Sequence, residues 1–85
     1  MEAYEYLKKN LPDLLIVDGS MPGINGFDLV RMIRNNERMK DLPIIFLSGH
    51  MLEFAVDKAL EAGANRFVDI RNLGELFIAI ETLLT

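Results

Sequence analysis

Two runs, Leu14-Leu15-Ile16-Val17 and Ile44-Ile45-Phe46-Leu47, contain no polar residue, and they constrain the fold more than any other feature. A strand with one wet face alternates apolar and polar side chains. A short run without alternation fits a strand buried on both faces, as in a parallel sheet covered by helices. Phe67-Val68-Asp69-Ile70 is a third run of strand length.

The segments between these runs have helical spacing. Phe27, Val30 and Ile33 fall on one stripe, with Arg31, Arg34 and Asn35 expected to point outward. Phe54, Ala55, Ala59 and Ala62 make a second stripe, and Leu73, Leu76, Phe77, Ile80 and Leu84 a third. Ala3, Tyr4 and Leu7 share a face of a helix at the start. Gly63 is placed to end a helix in a left-handed turn, and Asn72 with Glu75 reads as a helix N-cap pair. Pro12 and Pro43 stand at the starts of apolar runs, where a missing N–H is tolerated. The order is αβαβαβα across residues 1–85, one α/β domain whose simplest architecture is a parallel sheet with helical crossovers.

Composition narrows the function. With 51% hydrophobic and 26% charged residues, the chain is expected to be globular rather than disordered. No apolar run approaches the roughly 20 residues of a membrane span. There is no cysteine to form a disulfide or a thiolate metal site. The net charge is −4 and the only adjacent basic pair is Lys8-Lys9, which argues against direct nucleic-acid binding. The cytoplasm is the expected compartment. No Ser-His-Asp set, glycine-rich phosphate loop or paired metal-ligand motif is present, so an independent enzyme is not expected. His50 reads as a loop or cap residue and the methionines as packing.

The run from Pro12 to Phe27, PDLLIVDGSMPGINGF, resembles the third strand and following loop of response-regulator receiver domains. Leu42-Pro43-Ile44-Ile45-Phe46-Leu47-Ser48-Gly49 is similar to the fourth strand of that family, and Ala59-Leu60-Glu61-Ala62-Gly63-Ala64 to the segment before its fifth. The resemblance implies an incomplete flavodoxin-like parallel sheet, with strands equivalent to receiver strands 3, 4 and 5. It implies a role in two-component phosphorelay signalling, with a histidine kinase or phosphotransfer protein as partner. It places Asp18 in the phospho-acceptor position and Ser48 as the hydroxyl that contacts the phosphoryl group. Phe67 falls where the family has its switch aromatic. Asp18 and the backbone carbonyl of Ser20 would be ligands of Mg²⁺. The chemistry agrees, since a carboxylate nucleophile needs a cation and a hydroxyl to steady the phosphoryl oxygens.

The sequence also departs from the family. Receivers begin with a strand ending in the acidic pair that holds Mg²⁺, and here the resemblance starts after that strand, so the metal site is expected to be weak. Asp13 lies at the wrong end of its strand to help. The position of the family's phosphoryl-pairing lysine holds Ile70, with Asp69 and Arg71 on either side. Asp69 would place negative charge near Asp18. Without the first strands, Leu14-Leu15-Ile16-Val17 would be a bare edge with poorly covered faces. A homodimer or strand-exchanged oligomer through that edge is therefore expected. The alternative is a phosphorylation-silent pseudo-receiver, or a receiver fragment, acting only through protein–protein contacts across residues 52–84.

Overall fold

The computed structural model describes residues 2–19, 25–49 and 53–84. Its elements are α1 (Glu2–Lys9), β1 (Leu15–Asp18), α2 (Gly26–Arg34), β2 (Ile44–Ser48), α3 (Glu53–Ala62), β3 (Arg66–Asp69) and α4 (Leu73–Leu84). The alternation read from the apolar runs is the observed order. The three strands form one parallel sheet in the order β1-β2-β3. Leu15 pairs with Ile44 and Asp18 with Leu47, while Ile45 pairs with Arg66 and Ser48 with Asp69.

Strand alternation sends residues to two faces of unequal cover. On one face, Val17, Ile44 and Phe46 pack with Leu7 of α1, Leu29, Val30 and Ile33 of α2, and Ala59 and Ala62 of α3. On the other, Ile45 and Val68 meet Ala79 of α4, flanked by Leu14, Leu47, Leu76, Ile80 and Leu83. β2 has a neighbour on each side, and Ile44, Ile45 and Phe46 are at most 2% exposed. β1 is less covered than its apolar run alone implies, in keeping with the poorly covered edge expected there. Val17 is buried, but Ile16 is 40% exposed: α4 packs over β3, and β1 is an edge strand of the sheet.

Two helical expectations need correction. The stripe on α4 splits: Leu76 and Ile80 pack against the sheet, whereas Leu73, Phe77 and Leu84 are more than half exposed. The helix carries apolar residues nearly all round, so periodicity alone does not choose the arc that docks, and the small buried Ala79 marks it. Arg34 does not point outward. Its guanidinium donates to the carbonyls of Gly63 (2.8 Å), Lys40 (2.8 Å) and Leu42 (2.6 Å) and to Asn65 Oδ1 (2.9 Å). Asn65 Oδ1 also accepts from the Ile44 N–H, so one arginine ties α2 to the end of α3 and the start of β2. Partial burial lowers the Arg34 pKa, against a smaller opposing effect of Asp41, and the four hydrogen bonds fit the charged form.

The remaining signals are in place. Gly63 has φ +121°, and a Cβ there would press on the Arg34 side chain. The Glu75 N–H donates to Asn72 Oδ1 at 3.1 Å, while Asn72 Nδ2 donates to the Glu75 carboxylate at 3.2 Å. Asn25 caps α2 by accepting from the Asp28 N–H at 3.2 Å.

Candidate functional site at the strand C-termini

All three strands run the same way, and each ends in a polar residue: Asp18 on β1, Ser48 on β2 and Asp69 on β3. Open α/β sheets bind ligands at this edge, outside the carboxyl ends of the strands. The Gly19 N–H donates to the Leu47 carbonyl at 2.8 Å and the Ile70 N–H to the Ser48 carbonyl at 3.0 Å, so pairing persists to the lip of the sheet. Register puts Ser48 and Asp69 side by side, with Asp18 one step lower, level with Leu47. Ser48 is 7% exposed, the one polar residue among the buried side chains described. No buried side-chain nitrogen or oxygen among the described residues lacks a hydrogen-bond partner.

An aromatic stack supports this edge from below. Phe46 lies between Phe27 (centroids 4.8 Å apart, planes at 6°) and Phe67 (5.8 Å, 16°). Offset stacks of this kind add to the burial of their rings. A Cβ on Gly19 or on Gly26 would collide with the Phe46 ring. The missing side chains therefore let the backbone at the end of β1 and at the start of α2 lie close against the Phe46 ring. Phe67 is half-buried and held in the stack.

Asp69 does not meet Asp18 as a bare charge. Arg71 closes on it through Nε (3.0 Å to Oδ1, 3.2 Å to Oδ2) and Nη2 (2.7 Å to Oδ2), and the Arg71 N–H donates to Oδ1 at 2.9 Å. The side-chain hydrogen bond to Arg71, then the backbone one, holds the Asp69 carboxyl down at about 2 despite some desolvation. The same partner raises the Arg71 pKa. The repulsion anticipated between Asp69 and Asp18 is therefore largely cancelled within the Asp69–Arg71 pair. Ile70, between them, is 40% exposed.

Among the described residues no group of three His, Cys, Asp or Glu side chains converges to hold a metal. Mg²⁺ favours six oxygen ligands in near-ideal octahedral geometry. Asp69 is engaged by Arg71, so Asp18 is the carboxylate this edge turns toward such an ion, which is usually held by one or two carboxylates with waters and phosphate oxygens. Ser20 and His50 lie outside the described residues, as do Met21 and Met51.

A second feature borders the site. A groove of about 460 Å³ runs along the outer side of β1, lined by Tyr6, Leu7, Leu14, Ile16, Val17 and Leu29, with Asp18 also on its wall.

An open parallel α/β sheet with helices on both faces, here with polar residues at its C-terminal lip, is the architecture of the flavodoxin-like class. Within that class the chain belongs to the response regulator receiver domain family, whose model matches residues 1–80. It is 39% identical over 69 residues to the chemotaxis protein CheY1 of Helicobacter pylori, covering 80% of this chain and 56% of that protein. It is 36% identical over 84 residues to the Fimbriae Z protein of Salmonella typhimurium, covering 98% of this chain and 39% of that protein. A solved structure from Chloroflexus aurantiacus described as a response regulator superposes with a TM-score of 0.89 at 36% identity, covering 98% of this chain and 69% of the other. The chain thus spans about half the length, or less, of these two curated relatives.

Two features escaped the sequence. The Arg34 tether gave no signal, because an arginine beside a helical stripe reads as solvated. The Asp69–Arg71 clasp was legible only as an i, i+2 pair of opposite charge.

Proposed function

We propose that this domain is a receiver of two-component signalling that accepts a phosphoryl group on Asp18 from a histidine kinase or phosphotransfer protein. An Asp18 carboxylate oxygen attacks phosphorus, the new O–P bond forms as the donor's bond to phosphorus breaks, and the donor group leaves with that electron pair. The Ser48 hydroxyl donates to a phosphoryl oxygen. Phe67 is the aromatic that would register the change, by leaving its stack on Phe46. The observation that carries this reading is the ending of β1 in Asp18 beside a strand that ends in the buried Ser48. Mg²⁺ would bind only with oxygen ligands added to Asp18, the Ser20 carbonyl among them. The domain acts in the cytoplasm and binds partners by protein contact rather than nucleic acid. No described helix is long and apolar enough to cross a membrane.

Intact-mass spectrometry after incubation with a small acyl phosphate, with and without Mg²⁺, tests the proposal. One phosphoryl group should be added to the wild type and none to Asp18→Asn. Wild type left unmodified in both conditions, while an intact receiver is labelled, would remove the acceptor role. Ile70 at the cation position favours the second reading, a pseudo-receiver that works by contact alone.

The outer side of β1 serves association. A strand whose outer edge meets no other strand among the described residues, beside an apolar groove, is a template for another strand, so the domain forms a homodimer or exchanges strands through Leu14 to Val17. Sedimentation should show mass rising with concentration for the wild type and staying at that of one chain for Ile16→Lys. A wild type that remains monomeric throughout would refute it.

A further inference from the structure

We infer that Arg71 is the cation that pairs with the phosphoryl group on Asp18, and that Asp69 is a positioning residue which holds Arg71 aside until that group arrives. The inference rests on the phospho-acceptor reading of Asp18. A carboxylate that takes a phosphoryl group becomes a dianionic acyl phosphate, and the protein must set positive charge against it. Neither the described acids nor Ile70 provides that charge. Arg71 stands at the same lip, two residues beyond the end of β3. Adjacent strands are about 4.8 Å apart, so β3 lies on the order of 10 Å from β1. The long arginine side chain bridges much of that gap, and the acceptor with its phosphoryl group extends from the other side.

The clasp has the makings of a resting position. Its carboxylate is well covered, with 16% of the Asp69 side chain accessible, whereas the Arg71 side chain is 72% accessible. Ion pairs with one partner so exposed are weak and easily exchanged. A phosphoryl group offers two negative charges and three acceptor oxygens to the same planar fork, so it competes well against one carboxylate. The Arg71 backbone N–H can stay on Asp69 Oδ1 while the guanidinium leaves, so the loop need not move. Lys58 is the other cation to consider, but its ammonium sits 5.1 Å over the Phe27 ring, on α3 rather than at the lip.

The test is the rate of acyl-phosphate labelling and the half-life of the product, read by intact mass. The proteins are wild type, Asp69→Asn, Arg71→Ala, Arg71→Lys, Lys58→Ala and the Asp69→Asn/Arg71→Ala double variant. Asp69→Asn keeps an acceptor for the backbone N–H and frees the guanidinium, so labelling should rise several-fold. Arg71→Ala should slow it about tenfold, Arg71→Lys should restore part of the loss, and the double variant should lose the gain. Melting curves will show whether each variant remains folded, and a merely structural role for Asp69 would not make its effect depend on Arg71. Labelling of Asp18 at the wild-type rate in every Arg71 and Asp69 variant, or a loss confined to Lys58→Ala, would overturn the inference and leave the acceptor reading intact. No labelling of Asp18 in any protein would overturn both.

Discussion

Two boundaries of the sheet, the C-terminal ends of its strands and the outer side of β1, are built from opposite chemistry. The strand ends carry Asp18, Ser48 and Asp69, backed by a clasped arginine and supported by three stacked rings. The outer side of β1 presents Ile16, 40% exposed, above an apolar groove. Polar groups in fixed register can direct a charged group, whereas an open strand edge beside apolar surface favours apolar contacts or another strand. Asp18 belongs to both places, since it ends β1 and also lines the groove.

Replacing the same residue type in two strands sharpens the contrast. Ile45→Ala in fully flanked β2 should cost about 2–5 kcal/mol of unfolding free energy, while Ile16→Ala on the open side should cost about 1 kcal/mol or less in the monomer. Urea denaturation at low protein concentration measures both, and equal losses would mean that β1 is covered as well as β2. Next in size is Arg34→Ala, which removes donors from three carbonyls and Asn65 and should cost about 2 kcal/mol. The loss should centre on β2 and α3, with hydrogen exchange rising at Ile44 before Val17. Gly63→Ala should cost about 1 kcal/mol through its left-handed backbone, with more if the Arg34 side chain cannot yield.

The smallest effect is at the polar end. The folded Asp69 carboxyl is depressed to about 2 from an ordinary 3.8. Its stabilising contribution is thus complete above the ordinary value and is lost as pH falls through about 2. Carbon-detected titration of Asp69 should give that low midpoint in the wild type and a higher one in Arg71→Ala.

These differences explain what the sequence made legible. β2 was readable because its burial depends on its own apolar run and on neighbours the chain supplies. β1 has nearly the same composition, yet its outer residues depend on what lies beside them, and composition does not carry that information. α4 shows the same limit, since Phe77 and Leu76 are equally apolar and only the docking on β3 separates them. The ends of their runs and the family pattern placed Asp18 and Ser48 at strand ends, and that is where they lie. The close approach of Gly19 and Gly26 to the Phe46 ring, and the direction in which Arg71 folds, are properties of the assembled sheet.

The most direct test of the division between the two edges is a map of backbone amide shifts on adding a small acyl phosphate. Changes should centre on Gly19, Gly49 and Ile70, extend to Arg71, and vanish in Asp18→Asn. Changes along Tyr6, Leu7 and Leu29, or changes that persist in Asp18→Asn, would contradict the assignment of the chemistry to the strand ends.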